Sequence, residues 1–166
     1  MSDAQAAISR SRSSRLEGWE IRLDRYLRES AEKPFAWGEH DCCLFVCNAI
    51  REMTGKDPAA EFRGRYKTRA GAYALLRRHT GPSGDGCVQP TQKFDFVEAI
   101  TVICEICGFP PVPVPLAQRG DVVIFADSEG TPALGIVALD GRTVLGLAIN
   151  GLRRLAIDSA LQAWRV

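Results

Sequence analysis

The thiol of Cys42 is the group in this chain best placed to do chemistry. In Phe35-Ala36-Trp37-Gly38-Glu39-His40-Asp41-Cys42 it opens a stretch whose spacing predicts a helix, directly after an aspartate suited to cap that helix. A sulfur in the first helical turn lies beside free backbone amides and the positive end of the macrodipole, which favour the thiolate and make it a nucleophile. The competing reading treats Cys42 and Cys43 as two small buried hydrophobes. To hydrolyse an amide the sulfur needs a base, and the chain holds two histidines, His40 and His79. His40, two residues before Cys42, is the candidate base; its plainer reading is a loop histidine bonded to backbone or to the Trp37 ring. His79 follows Arg77-Arg78 at a helix end, where an exposed imidazole is the ordinary outcome. Asp121 and Asn150 begin or follow strands and read as turn caps.

Six cysteines also raise the question of metal. Cys43 and Cys47 share one face of a helix, as do Cys104 and Cys107, so four thiolates would have to converge to hold zinc or an iron–sulfur cluster. Thiolate sites more often use glycine-rich knuckles, and both pairs fall on apolar helix faces. Buried structural thiols are the better reading, and no metal or cofactor is expected. Trp19, Trp37 and Trp164 read as core or interface anchors before carbohydrate platforms. Arg63, Arg65, Lys67 and Arg69 read as a solvated loop or protein contact, since few aromatics interleave with them.

Composition narrows the function classes. With 166 residues and 46% hydrophobic residues the chain is long enough for one core, and one domain is the default. The 21 Lys+Arg against 20 Asp+Glu leave a net charge of +1, so no global field recruits nucleic acid, anionic lipid or acidic substrate. No apolar run approaches the ~20 residues of a membrane span, and Met1 to Arg15 lacks the apolar core of a secretory signal. Synthesis in the cytoplasm follows as the expectation, with the cysteines reduced there.

The elements that must position Cys42 can be read from the same pattern. Residues 1–15 are polar, Ser/Arg-rich and aperiodic, which predicts a flexible arm. From Leu16, an apolar face of Trp19, Leu23, Tyr26 and Leu27 predicts a helix ended by Pro34. Asp41 caps a second, apolar helix that stops at Gly55 and should be the central buried one. Thr68 caps a third, running to Gly81; residues 81–89 form a loop. Phe94 to Cys107 has helical spacing, although its β-branched residues also fit a strand. Pro110, Pro111, Pro113 and Pro115 predict an extended connector that is not helical. Asp121 to Phe125, Ala133 to Leu139 and Thr143 to Ile149 then read as antiparallel strands, with hairpin turns at Asp140-Gly141 and Asn150-Gly151. Helices followed by strands make an α+β domain over residues 16–166.

Trp37-Gly38 followed by Asp41-Cys42, then Arg119-Gly120-Asp121-Val122-Val123 and Leu134-Gly135-Ile136, resembles the NlpC-type papain-like fold of cysteine peptidases. The match is closer to a family from tailed phages and prophages, whose pattern includes Tyr66-Lys67-Thr68 with Gly71-Ala72 and a closing Ala163-Trp164-Arg165-Val166. The resemblance implies a papain-like domain with the Cys42 helix packed on a C-terminal antiparallel sheet. It implies Cys42 as nucleophile and Trp37, Gly38 and Asp41 as the residues binding around it. It also implies a catalytic histidine on the strand bearing Gly135-Ile136, at the position where this chain has Ala133.

Two functions therefore stand as expectations. The first is a structural or assembly protein of a phage tail tip with a degenerate peptidase fold, made in the host cytoplasm and carried in the virion tail, its partners the hub and tail-tip proteins. The second is a peptidoglycan-cleaving cysteine endopeptidase or amidase used during DNA entry, with His40 as an unconventional base. Ala133, standing where the resemblance implies a histidine, favours the first, because lacking a general base costs on the order of a hundredfold or more.

Overall fold

The computed structural model describes residues 15–80 and 95–166. Helices α1 (Trp19–Ala31), α2 (Cys42–Thr54), α3 (Arg69–Thr80) and α4 (Phe96–Ile106) come first. Strands β1 (Pro111–Val112), β2 (Val122–Ala126), β3 (Pro132–Val137), β4 (Thr143–Ala148), β5 (Gly151–Ala156) and β6 (Ala160–Trp164) follow and form one sheet of order β1-β6-β2-β3-β4-β5. Every pairing is antiparallel, so the domain is α+β with its helices N-terminal and its sheet C-terminal. No helix among the described residues is long and apolar enough to cross a membrane.

Local chemistry sets the helix limits. At α2 the Asp41 carboxylate accepts from the Cys43 and Leu44 amides, and Gly55 ends the helix at φ 74°, a left-handed conformation suited to glycine. The Thr68 hydroxyl accepts from Gly71 N at the head of α3. Asp95 does the same for Val97 and Glu98 at α4, and that cap decides for helix over strand in a β-branched segment. The predicted loop 81–89 and residues 1–14 of the predicted arm lie outside the described residues; Arg15, by contrast, is held in the domain.

Alternation along the strands divides the core in two. Val122, Ile124, Leu134, Ile136 and Leu145 face the helices and pack with Phe45, Val46, Ala49, Ile50 and Met53 of α2. Val123, Phe125, Val137, Val144 and Ala163 face the other way and form a second cluster with Val112, Val114 and Ile157. Phe45, Val46, Ala49 and Met53 are wholly buried, so α2 is the central helix. A fully buried Val, Phe or Met contributes about 1.5–3 kcal/mol, which makes α2 the main anchor of the sheet.

The proline segment departs from its prediction. Pro111–Val112 pairs with β6, and Val114–Leu116 closes a 3-10 turn, with Leu116 N donating to Pro113 O at 2.8 Å. Proline at the start of such a turn lacks only an N–H that would be unsatisfied there anyway, so the segment was not bound to stay extended. Both predicted hairpins form, with Gly141 at φ 69° and Gly151 at φ 108°.

Candidate functional site around the α2 N-terminus

Asp41 organises this end of the molecule. It is 1% exposed, and its two oxygens take four donors: Oδ1 accepts from Cys43 N at 3.1 Å and Leu44 N at 3.0 Å. Oδ2 accepts from Gly38 N at 2.9 Å and the Tyr66 hydroxyl at 2.6 Å. Gly38 is required twice over, because its φ is 78° and a Cβ there would collide with the Tyr66 carbonyl oxygen. The Trp37-Gly38 turn, the Asp41 cap and Tyr66 are thus one unit that fixes the start of α2. Tyr66, 25 residues beyond Asp41, is the member that sequence reasoning missed as a site residue. Burial and the Asp41 bond push its phenol far up, so it stays protonated and donating.

Cys42, a residue of intermediate burial, occupies the first helical position, and its sulfur lies 4.0 Å from that of Cys43. The two thiols titrate apart. Donation from Cys43 pulls the Cys42 thiol down against burial and the Asp41 charge, with help from the Leu134 and Cys43 amides. Serving as that donor, and being buried, push the Cys43 thiol well up. The strand that passes the sulfur is therefore β3, but it presents the Leu134 backbone. Ala133 pairs with Phe125 and packs into the second cluster, on the sheet face turned away from α2.

Neither histidine serves Cys42. The His40 ring is buried, its Nε2 donates to the Ser30 carbonyl at 3.3 Å, and it stands edge-on to Phe45 at 6.4 Å. His79 Nδ1 donates to Leu75 O at 2.9 Å, and its ring stacks on Phe62. His40 as candidate base is corrected accordingly: the turn that bridges Ala36 to His40 aims its imidazole at α1.

Burial also pushes the His40 imidazole down, outweighing the Ser30 bond. The unfolded chain then binds the proton more readily than the folded one. His40's contribution is complete above its ordinary value of about 6.5 and is lost as pH falls below it. Thermal melts between pH 7.5 and 5 should show the midpoint falling in wild type, with a flatter slope in His40→Gln and no such flattening in His79→Gln.

The alternative of a thiolate metal site finds no geometry to support it among the described residues. Cys43, Cys47, Cys104 and Cys107 do line one cavity, of about 60 Å³, between α2, α3 and α4. Their sulfurs do not converge: among the described residues, the one set of three ligand atoms mutually within 4.8 Å is Asp41, Cys42 and Cys43. A tetrahedral thiolate site with ~2.3 Å bonds to zinc demands closer sulfurs than that. In the Asp41 set the carboxylate is already saturated by its four donors. Burial pushes Cys47 up, Cys104 to about 12 and Cys107 up, so these are protonated, apolar fillers. Cys87 lies outside the described residues.

The remaining candidates are structural. Trp164 is 2% exposed, Trp19 is covered by the Arg15 guanidinium at 4.2 Å, and Trp37 stacks edge-on with Phe35 at 4.9 Å. None is an open sugar platform. Arg63 binds Asp57 at 2.6 Å and Asn48 at 2.6 Å, fastening the 57–66 loop onto α2. Asp121 does cap its turn through Gln118 N at 2.8 Å, as predicted. It is also a wholly buried charge paired with Arg15 at 3.0 Å and Arg165 at 2.9 Å. Arg15 further donates to Val166 O and Arg119 O, and Gly120 leaves room for Met53, whose sulfur would stand 2.6 Å from a Cβ. Asn150 is an exposed turn residue.

Fold and site together define a small α+β domain carrying an adjacent thiol pair on a tightly capped, buried helix, without an imidazole at the sulfur. Over residues 14–166 the chain belongs to the family described as a domain of unknown function, DUF6950. No curated protein matches it.

Proposed function

We propose that the chain is a non-hydrolytic papain-like domain that serves as a structural component of a phage tail tip, docking to hub and tail-tip proteins. The observation that carries this reading is the commitment of both histidines elsewhere, His40 to Ser30 and His79 to Leu75. Attack on an amide needs a group to take the thiol proton and return it to the leaving amine, and general acid–base assistance of that kind is worth about 10²–10⁴-fold. The order of the Trp37-Gly38, Asp41-Cys42, Arg119-Gly120-Asp121 and Ala163-Trp164-Arg165-Val166 motifs supports the papain-like and tail-associated parts. Most of these residues are occupied in holding the domain together, as expected of a scaffold that outlived its chemistry. In this reading the protein is made in the host cytoplasm and leaves in the virion.

The second reading, a peptidoglycan endopeptidase or amidase, has one observation in its favour: the Cys42 thiol is drawn toward the thiolate. Zymography against peptidoglycan separates the two. Wild type should clear no more substrate than Cys42→Ala; clearing by wild type alone overturns the non-hydrolytic reading. Mass spectrometry of purified particles tests the other half, since absence of the chain from the tail tip removes the assembly role.

A further inference from the structure

We propose that β5 is a docking edge, which takes an extended, acidic segment of another protein into the sheet as an added strand. The inference deepens the scaffold role by naming the surface that holds a partner, and it rests on that reading only for where the partner comes from. The sheet has two edges, β1 and β5. β1 is closed to such pairing: it is two residues long and lies among Pro110, Pro111, Pro113 and Pro115, which have no N–H to offer. β5 is open. Its six residues, Gly151–Ala156, contain no proline and pair with β4 in unbroken register. Ile157 N donates inward to Arg142 O at 2.8 Å, so Arg153 and Leu155 bond inward with it, and Leu152, Arg154 and Ala156 turn their N–H and C=O groups outward. Among the described residues nothing bonds to that outer side.

Charge decides the occupant. Arg153 and Arg154 are exposed, and among the described residues neither stands in an ion pair. The acid whose field reaches Arg154 is Asp140, already engaged by the Arg142 and Thr143 amides and the Thr143 hydroxyl. Consecutive strand residues face opposite ways, so Arg154, opposite Leu145, lies on the helix side of the sheet and Arg153, opposite Gly146, on the other. A second copy of the chain fits poorly. Outward groups meet only in antiparallel registers of one parity, and the two that keep most of β5 paired set Arg153 or Arg154 directly against its own copy, which is destabilising. A foreign segment with two consecutive acids, flanked by β-branched residues, instead meets one guanidinium on each face while its backbone fills the open ladder. Main-chain bonds supply the attachment, and the two arginines that reject a second copy select the partner.

The experiment uses the full chain, labelled with nitrogen-15, and the capped peptide Thr-Val-Glu-Glu-Val-Thr as probe, read by amide hydrogen exchange and by fluorescence titration of a dye-labelled copy. Binding should slow exchange at Leu152, Arg154 and Ala156, while the Arg153 and Leu155 amides, already in the ladder, change little. Affinity should fall as salt rises from about 0.1 to 1 M, where screening of exposed charges tightens. Arg153→Ala and Arg154→Ala, both at exposed positions, should each weaken binding by up to about fivefold, the range of one cross-strand charge pair. A peptide with Lys-Lys in place of Glu-Glu should not bind, nor should one N-methylated on the residues that face the edge. No slowing at those three amides at millimolar peptide overturns the proposal, as does equal binding of the Lys-Lys or N-methylated peptide. A dimer in sedimentation of the free chain, with the same three amides already protected, overturns it in favour of a second copy. None of these outcomes bears on whether the chain is found in particles, so failure of this edge and failure of the tail role are told apart.

Discussion

Asp121→Ala should lower stability by roughly 3–5 kcal/mol, the cost of removing one partner from a buried ion pair. Asp121 is 0% exposed and holds Arg15 and Arg165. Truncation leaves both guanidiniums partly buried beside one another and orphans the Gln118 amide that donates to it at 2.8 Å. Arg15 is already disfavoured by burial and pushed down, with Asp121 as the main opposing influence, so it suffers most. Against a total of about 5–15 kcal/mol for a domain, the loss should be visible as a large drop in the urea midpoint with an unchanged slope. Asp121→Asn should fall between the two, since it keeps an acceptor for Gln118 but no charge. A midpoint for Asp121→Ala within about 0.5 kcal/mol of wild type, the range of an ordinary surface change, would show that the latch carries no weight.

Asp41→Ala should have the second large effect, about 3 kcal/mol. Losing an N-cap costs about 0.5–2 kcal/mol, and the Tyr66 hydroxyl and Gly38 amide are left without their acceptor at about 1–3 kcal/mol each when fully buried. The distinctive sign is in the double variant. Tyr66→Phe alone should cost about 1 kcal/mol, but added to Asp41→Ala it removes the orphaned hydroxyl and should recover about that much. A denaturant double-mutant cycle reads this directly; simple addition of the two losses would mean that the 2.6 Å bond between them is energetically idle.

Legibility followed the range of the interaction. The limits of α2 were readable because Asp41 and Gly55 act on their own helix, and the two Asx-Gly hairpins because the turn demands them within two residues. β5 went unread: Gly-Leu-Arg-Arg-Leu-Ala puts two arginines mid-strand, which an edge strand with a solvent face accepts but an apolar pattern search passes over. β6 was noticed only through its last residues, since Ala160–Trp164 is short and its pairing with β2 spans some forty residues of chain. The candidate site divides in the same way. The Cys42 position and its cap were local, while the Tyr66 bond, the turn of His40 toward Ser30 and the Leu134 amide depend on segments brought together by folding. Asp121 shows the limit most plainly: its turn-capping role is visible three residues away, and its pairing with Arg15 spans 106.

The side of the sheet on which Ala133 sits bears on whether a base can be brought to the Cys42 sulfur from β3. A strand shows alternate residues to opposite faces, so a histidine introduced at 133 would lie among Phe125, Val137 and Val144, across the sheet from the sulfur. The helix-facing neighbour, Leu134, is 4% exposed and belongs to the principal core, so an imidazole there would enter at the expense of packing. A base on this strand is thus barred by parity: setting one beside the sulfur requires a register slip, and with it the repacking of both faces. For an engineer, bringing an imidazole to Cys42 from β3 means rebuilding the fold interior, not changing a single codon.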